Sequence, residues 1–457
     1  MRKLSVPFVL CSFVVFYASH CLFAQTTLDS IKPCATDPTY KYFEQIQKNQ
    51  YTQHPNKLGY LKSDPASWTG VISDLRKRPS SISGKPTIDA DGAQKINDLL
   101  KTIKTPTCYE SRPIYWLIAH YVEEIEMARK ELKLPLDRSP KFGSLPTSEI
   151  NAYTYPAVAG NDSVIAFNTQ LFMFDYQLAK AVLPSLGMSL DASQKYVVIR
   201  NDPDFTRAYL AAHPEVKGDF ASSVLEFINY APAHDHSVDQ AYDAFILALT
   251  FGMESFAVAH EYSHVIHNDH SVVANLQLEL ANEGRPASDQ KPSKTQTVPV
   301  LVRSWQQELS ADEPGARLLI RAVQDNVNHD KSESLYSRAR LHGPLFFFTC
   351  MELTDRAKYI AENGKLPPFL TAESKKYIYD LADGTASDYN PLFAQLGLKN
   401  HPPAWLRRER VLKILEPYLT VDDTDEGKLS LVADRVVQNT EVMWNLIEPH
   451  MNELLRA

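Results

Sequence analysis

The chain has 457 residues, a formal net charge of −8 and 44% hydrophobic residues. An acidic balance without a basic patch excludes a nucleic-acid-binding protein, and this hydrophobic content with only 16 glycines excludes a disordered one. The length predicts a large core, in one big domain or in a domain with an appendage.

The first 24 residues have the pattern of a secretory signal peptide. Arg2 and Lys3 precede an apolar run, which is shorter than the roughly 20 residues of a spanning helix, and the segment ends at the small residue Ala24. We expect cleavage after Ala24 and export to the periplasm or the extracellular space, with no stable membrane span. Retention of the segment as an anchor is the alternative. Loss of Arg2 and Lys3 takes the formal charge from −8 to −10.

Three cysteines follow this segment, namely Cys34, Cys108 and Cys350. In an oxidising compartment Cys34 and Cys108 are candidates for a disulfide. Cys350 lies in the apolar stretch GPLFFFTCMEL and is predicted to be a buried hydrophobic residue rather than a nucleophile.

Helical and strand patterns divide the remaining chain into three parts. Residues 25–110 are rich in proline, serine and lysine and are interpreted as an accessory region. Residues 111–415 are predicted to form the main domain, which begins with an amphipathic helix after Ser111 and continues with short strands in INAYTYP and SVIAF. Within it, residues 172–236 are interpreted as an insertion that forms a lid or a side wall. Residues 416–457 are predicted to be a C-terminal helical segment.

Two later stretches have the spacing of buried helices. The first opens with a capping box from Ser237 to Gln240 and runs through FAVAHEYSHVIH. The second contains WQQELSADEPGARLLIRAVQ, and Pro314 is expected to kink or restart it. Together with the short strands, these helices predict an α+β fold that is mainly helical.

The motif HEYSH in the first of these helices has the spacing of a zinc site. His260 and His264 are four residues apart, so both imidazoles project from one helix face, about one turn apart. Glu261 lies about 100° round the helix, where its carboxylate is placed to act as a general base rather than as a ligand. The alternative is a polar helix end with solvated histidines.

Catalytic zinc usually has a third protein ligand, and the sequence offers two candidates. His270 has the separation from His260 that is typical of the HExxHxxGxxH motif, but His267 stands where that motif has glycine. Glu308 in the downstream ELSAD shares a helix face with Asp312. Glu308 would then complete the ligand set, and Asp312 would accept the second N–H of a ligand histidine. We favour Glu308 and keep His270 as the alternative.

HEYSH followed by ELSAD resembles the gluzincin zinc metallopeptidases of metallopeptidase family forty-eight, which include the CAAX prenyl protease, HtpX and soluble BepA-like proteins. INAYTYP with SVIAFNTQLF, and later NHPPAWLRRERVLKIL, resemble further signatures of this family in the same order. The resemblance spans residues 151–415. It implies a gluzincin-type domain with a small edge-strand sheet, an active-site helix and a glutamate helix.

The resemblance also implies roles for single residues. It implies one Zn²⁺ per chain on His260, His264 and Glu308, with Glu261 as the general base and Asp312 orienting a ligand histidine. The helical spacing described above favours the same five positions.

In this family an extended substrate binds by adding a strand beside the active-site helix. The matching residues in this chain are Asn151, Ala152, Ser163, Val164, Ile165, Ala166, Phe167 and Asn168. His401 and Arg407 match the late His-Pro signature, which implies that they stabilise the oxyanion of the reaction. The alternative for these two is a structural helix start with surface arginines.

Two features depart from the family. The membrane helices of its integral members are missing, and Gln170 replaces the glycine that follows the strand. We therefore expect an exported zinc endopeptidase with a polypeptide substrate and no nucleic-acid partner, and the sequence leaves its oligomeric state open. The alternative is a non-catalytic zinc-binding envelope protein, or a chaperone-like protein, on the same scaffold.

Overall fold

The computed structural model describes residues 33–53, 94–95, 98, 102–137, 139–147, 152–155, 162–186, 189–190, 197–198, 203–229, 243–269, 294–329, 331–368, 370–385, 401–422 and 424–456. Its helices are α1 Pro38–Gln53, α2 Arg112–Glu131, α3 Thr169–Val182, α4 Pro203–Ala212, α5 Pro214–Ile228, α6 Asp243–His267, α7 Lys294–His329, α8 Lys331–Leu341, α9 Gly343–Asn363, α10 Ala372–Ala382, α11 Ala404–Leu415, α12 Asp425–Ile447 and α13 Met451–Leu454. Its strands are β1 Lys141–Leu145, β2 Ala152–Tyr155, β3 Val164–Asn168, β4 Ser189–Leu190 and β5 Val197–Val198. The protein is therefore mainly helical, with a small three-stranded sheet and one short β4–β5 pair.

Helix α6 is the central element of the fold. Its residues are buried from Phe245 to His264, and apolar side chains surround its axis, which is typical of a helix enclosed by other elements. It contacts α2, α3, α7, α8, α9 and strand β2. The HEYSH motif therefore lies inside the protein, at the end of a helix that the hydrophobic core holds in place.

Glycines allow α6 to pack closely against the junction of α8 and α9. A Cβ atom on Gly252 would lie 1.8 Å from the carbonyl oxygen of Arg340, and one on Gly343 would lie 2.1 Å from the backbone nitrogen of Met253. Glycine inside a helix costs about 1 kcal/mol relative to alanine. Here the missing side chain is what permits the close contact between the helices.

Helix α7 is continuous through Pro314, so the predicted restart of the helix at this proline is wrong. A proline removes one backbone hydrogen bond and crowds the preceding turn, but packing against α6 holds α7 in shape at this point. Ala311 is completely buried, and a Cβ atom on Gly315 would lie 3.1 Å from the backbone nitrogen of His260. Asp312 therefore keeps its helical position beside α6.

The three-stranded sheet has the order β1-β3-β2. β1 runs parallel to β3, with Lys141 opposite Val164, and β2 runs antiparallel to β3, with Ala152 opposite Phe167. The strand patterns in the sequence predict β2 and β3. They miss β1, because this strand contains Gly143 and is flanked by prolines, which weaken a strand signal.

The predicted role of β3 in adding a substrate strand is wrong, because both of its edges are occupied. Val164, Ile165, Ala166, Phe167 and Asn168 all pair with β1 on one side, and β2 pairs along the other side. The carbonyl oxygen of Ser163 also accepts a hydrogen bond from the backbone of Lys141. An incoming strand needs unpaired backbone groups at a sheet edge.

Strand β2 is the edge strand on the α6 side of this sheet. Among the described residues it pairs only with β3, and it contacts α6. Ala152, which the resemblance assigns to substrate binding, lies at the start of β2, and Asn151 lies outside the described residues. The sheet edge beside α6 is therefore β2, the earlier of the two strands that the sequence predicts.

The described part of residues 25–110 is attached to the sheet. Cys34 and Cys108 form a disulfide across a sequence separation of 74 residues. Phe43 of α1 packs with Leu145 and Val164 in a small hydrophobic cluster. The N-terminal region therefore covers the β1 side of the sheet.

Helix α3, which extends into residues 172–236, packs in the core. Every residue of α3 whose side chain is described is buried, and α3 contacts α5, α6 and α12. Helix α3 therefore forms a wall of the main core, and a lid or side wall from the rest of this region stays a prediction. The predicted capping box at Ser237 lies outside the described residues.

Two further observations concern the rest of the chain. Cys350 is buried and has a free thiol, as its apolar surroundings in the sequence predict.

Across the described ranges, every helix falls short of the length or the hydropathy needed to cross a bilayer.

Candidate metal centre

The end of α6 and the middle of α7 bring three predicted ligands together. The Nε2 atom of His260 lies 3.1 Å from Nε2 of His264 and 3.3 Å from Oε2 of Glu308. His264 Nε2 lies 3.6 Å from Oε1 of the same carboxylate. Ligand atoms at about 2.0–2.1 Å from a tetrahedral zinc ion are roughly 3.4 Å apart. The three side chains therefore have the spacing that one zinc ion requires.

Glu261 lies beside this set. One side-chain ligand atom from each of His260, Glu261 and His264 lies within 4.8 Å of the other two. The hydroxyl of Thr154 in β2 donates a hydrogen bond of 2.6 Å to Oε2 of Glu261. The edge strand thus fixes the orientation of the predicted general base.

Asp312 contacts the other ring nitrogen of His260, as its spacing from Glu308 predicts. The distance from His260 Nδ1 to Asp312 Oδ1 is 3.0 Å, and Asp312 is almost completely buried. A carboxylate that accepts the Nδ1–H proton leaves the lone pair of the imidazole on Nε2. This nitrogen is the one that faces His264 and Glu308.

Asp269 has the same relation to the second histidine, and the sequence patterns do not single it out. The distance from His264 Nδ1 to Asp269 Oδ2 is 2.9 Å. Asp269 follows the end of α6, in a turn where Asn268 has a left-handed backbone with φ 55°. The available sequence signal is Asn268 itself, because asparagine is favoured in this conformation at helix ends.

Arg407 of α11 contacts two carboxylates and one histidine of the site. Its Nε and Nη2 atoms donate hydrogen bonds of 2.8 and 2.7 Å to Asp312, and its Nη1 atom lies 3.1 Å from Oε2 of Glu308. Its Nη2 atom also lies 3.3 Å from Nε2 of His260, and only 3% of Arg407 is exposed. The guanidinium is therefore placed to orient Asp312 and Glu308, and the oxyanion role of Arg407 stays a prediction.

His401 lies at the exposed side of the ligand set. Its Nδ1 atom is 3.2 Å from Oε1 of Glu308, and 47% of its side chain is exposed. Burial lowers the pKa of His401, but Glu308 raises it, and the net pKa is above the usual value. The oxyanion role of His401 stays a prediction.

Charge interactions keep the buried carboxylates ionised. Burial raises the pKa of Glu308, but Arg407 and His401 lower it to a net value well below the usual range. For Asp312, burial again raises the pKa and Arg407 lowers it, with a lower net pKa. Both side chains are therefore anionic near neutral pH.

Hydrogen bonds to two carboxylates raise the pKa of His260. Burial and Arg407 lower the pKa of His260, but hydrogen bonds to Asp312 and Glu308 raise it, to a net value of about 9. Because a metal ligand must be the neutral imidazole, zinc binding here releases a proton and is favoured at higher pH.

His270, the alternative third ligand, lies outside the described residues. The structure therefore does not test His270 as a ligand. His267 is exposed, and its Nδ1 atom lies 4.0 Å from Oδ2 of Asp269, so its described contact is with a carboxylate.

No family model, curated protein or solved structure matches the chain. Its function is therefore inferred from the residues and geometry of the site.

Proposed function

We propose that this protein is an exported zinc-dependent endopeptidase that hydrolyses peptide bonds in extended polypeptides. The observation that carries the proposal is the spacing of 3.1–3.6 Å between His260, His264 and Glu308, with Glu261 beside them. The resemblance of HEYSH and ELSAD to the gluzincin family supports the same ligand set.

The donor set fits zinc in composition as well as in spacing. Two imidazoles and one carboxylate are the protein ligands of many catalytic zinc sites, which keep a further position for water or substrate. When bound, zinc polarises the scissile carbonyl and makes water more acidic.

Each protein side chain then has a separate task. Glu261 accepts a proton from the attacking water and passes it to the leaving amine, while Thr154 keeps its carboxylate in place. Asp312 orients His260. His401 is the partly exposed imidazole beside Glu308 and is the candidate donor for the oxyanion.

The substrate strand is assigned to β2 rather than to β3. β2 contacts α6, and Thr154 in its centre contacts the general base. A polypeptide that binds along β2 therefore passes close to Glu261. Ala152 and Tyr155 mark the ends of the strand that would pair with it.

Two features support an exported location. The first 24 residues have the signal-peptide pattern described above. The Cys34–Cys108 disulfide fits an oxidising compartment such as the periplasm or the extracellular space.

The test is a Glu261→Gln variant, assayed for cleavage of an unfolded protein mixture with and without a chelator. Loss of a general base should lower turnover about 100-fold or more, while zinc stays bound because Glu261 is not a ligand. Glu313→Gln is the matched control, since Glu313 is an exposed glutamate on α7.

Wild-type turnover in the Glu261→Gln variant would overturn the mechanism. A wild-type protein that binds zinc and unfolded chains but cleaves nothing would favour the non-catalytic, chaperone-like alternative.

A further inference from the structure

The turn that ends α6 brings the carboxylate of Asp269 into contact with His264, one of the predicted zinc ligands. Asn268 has φ 55°, a left-handed conformation that asparagine adopts more readily than most residues. Its N–H donates to the carbonyl of Val265, and the N–H of Asp269 donates to the carbonyl of His264. These two hydrogen bonds close the helix and reverse the chain beside its last turn.

The reversal places a carboxylate against the ring of His264. Asp269 Oδ2 lies 2.9 Å from His264 Nδ1, and only 15% of the Asp269 side chain is exposed. A carboxylate in this position accepts the Nδ1–H proton and holds the ring so that Nε2 faces His260 and Glu308. Asp269 thus orients the ring of His264, as Asp312 orients the ring of His260.

The same turn is tied to the helix that carries the third ligand. The side-chain amide of Gln307 donates a hydrogen bond of 3.2 Å to the carbonyl oxygen of Asp269. Gln307 directly precedes Glu308 on α7. The turn therefore links the end of α6 to the middle of α7, at the point where their predicted ligands meet.

We propose that Asp269 is a positioning residue that sets the zinc affinity of the site through His264. The inference rests on the zinc site of the proposed function, but not on peptidase activity. Removal of a carboxylate that supports a ligand histidine typically weakens metal binding 10- to 100-fold, and we expect a loss in that range.

The experiment measures the apparent Kd for zinc by competition with a chromophoric chelator, using the full chain. Asp269→Ala should weaken zinc binding about 10- to 100-fold. The Kd of Asp269→Asn should lie between those of the wild type and Asp269→Ala, because its amide oxygen still accepts a hydrogen bond. His267→Ala is the control, since His267 is an exposed neighbour that also faces Asp269, at 4.0 Å, and it should bind zinc like the wild type.

A second pair of variants tests the turn without changing Asp269. Asn268→Gly and Asn268→Ala both remove the side-chain amide, but only glycine adopts a left-handed backbone without steric cost. The alanine variant should therefore bind zinc more weakly than the glycine variant. Far-UV circular dichroism shows whether each variant keeps its helices.

The outcomes separate this inference from the proposed function. A folded wild-type protein that does not bind zinc would contradict both. A wild-type protein that binds zinc tightly, with an Asp269→Ala variant of equal affinity, would overturn the role of Asp269 and leave the zinc site itself intact.

Discussion

At the scale of single residues, the site combines buried carboxylates with one buried guanidinium. Glu308 and Asp312 are both ionised, and Arg407 is the fully buried cation that contacts them. Buried carboxylates are costly unless opposite charges surround them. With Glu261 and Asp269 beside this group, the carboxylates outnumber the guanidinium, and a divalent cation would offset the excess negative charge.

Thr154 offers a test of how the general base is held. Thr154→Val keeps the shape of the side chain but removes the hydroxyl that donates to Glu261. A hydrogen bond to a charged group contributes about 1.5–3 kcal/mol, so we expect kcat to fall about 10-fold or more, with KM and zinc content unchanged.

The conservative variant Thr154→Ser keeps a hydroxyl and should recover most of the activity. A valine variant with wild-type kcat, or a serine variant as impaired as valine, would show that the hydrogen bond does not position Glu261.

At the residue scale, the sequence predicts which side chains lie together where helical geometry alone fixes the relation. His260 with His264, and Glu308 with Asp312, are each four residues apart on one helix, so spacing was enough to find them. Asp269 depends on the conformation of a turn. Thr154 reaches the site from β2 and was not predicted. Arg407 was named through the resemblance, but its contacts with Asp312 and Glu308 depend on how α11 packs, which no local pattern encodes.

At the scale of elements, two errors have a common cause. The resemblance assigned substrate binding to β3, which pairs with β1 and β2, and the strand patterns did not predict β1. The sequence also predicted an interruption of α7 at Pro314, where the helix is continuous. In both cases packing with another element outweighs what the local sequence favours. Pairing with β3 stabilises β1, and contact with α6 stabilises α7.

Strand β1 is joined to α1 and to the chain before α2 by a buried carboxyl group. Glu110 accepts hydrogen bonds from the backbone and hydroxyl of Ser144 and from the amide of Gln47. Burial raises the pKa of Glu110 from 4.5 to about 7, and these hydrogen bonds only partly oppose the rise. The folded protein therefore holds this proton at a pH where the unfolded chain has lost it.

This difference predicts how stability depends on pH. Between pH 4.5 and about 7 the unfolded chain binds fewer protons at Glu110 than the folded protein does, so the free energy of unfolding falls as the pH rises. The full effect of the shift is about 3 kcal/mol.

Urea unfolding of the wild type and of Glu110→Gln checks this pH dependence. The wild type should lose stability relative to the variant as the pH rises from 4.5 to 8, with the same substitution at the exposed Glu373 as control. A stability difference that is constant over this range would contradict the buried, protonated carboxyl.

At the scale of the whole molecule, the proposed site lies where the main core meets the small sheet. Helices α6 and α7 supply the ligands, α11 supplies Arg407, and the edge strand β2 supplies Thr154. The general prediction of a mainly helical fold with a small sheet agrees with the structure. The division into an accessory region, a main domain and a C-terminal segment stays a prediction, although α12 shares the main hydrophobic core.

The central claim is that α6 and α7 jointly hold one zinc ion through His260, His264 and Glu308. Its most direct test is the zinc stoichiometry of the purified, dialysed chain beside its Glu308→Ala variant, with Glu313→Ala as the control on the same helix. We predict one zinc per chain in the wild type and the control, and loss of the metal in Glu308→Ala. Full zinc occupancy in Glu308→Ala, or none in the wild type, would contradict the account.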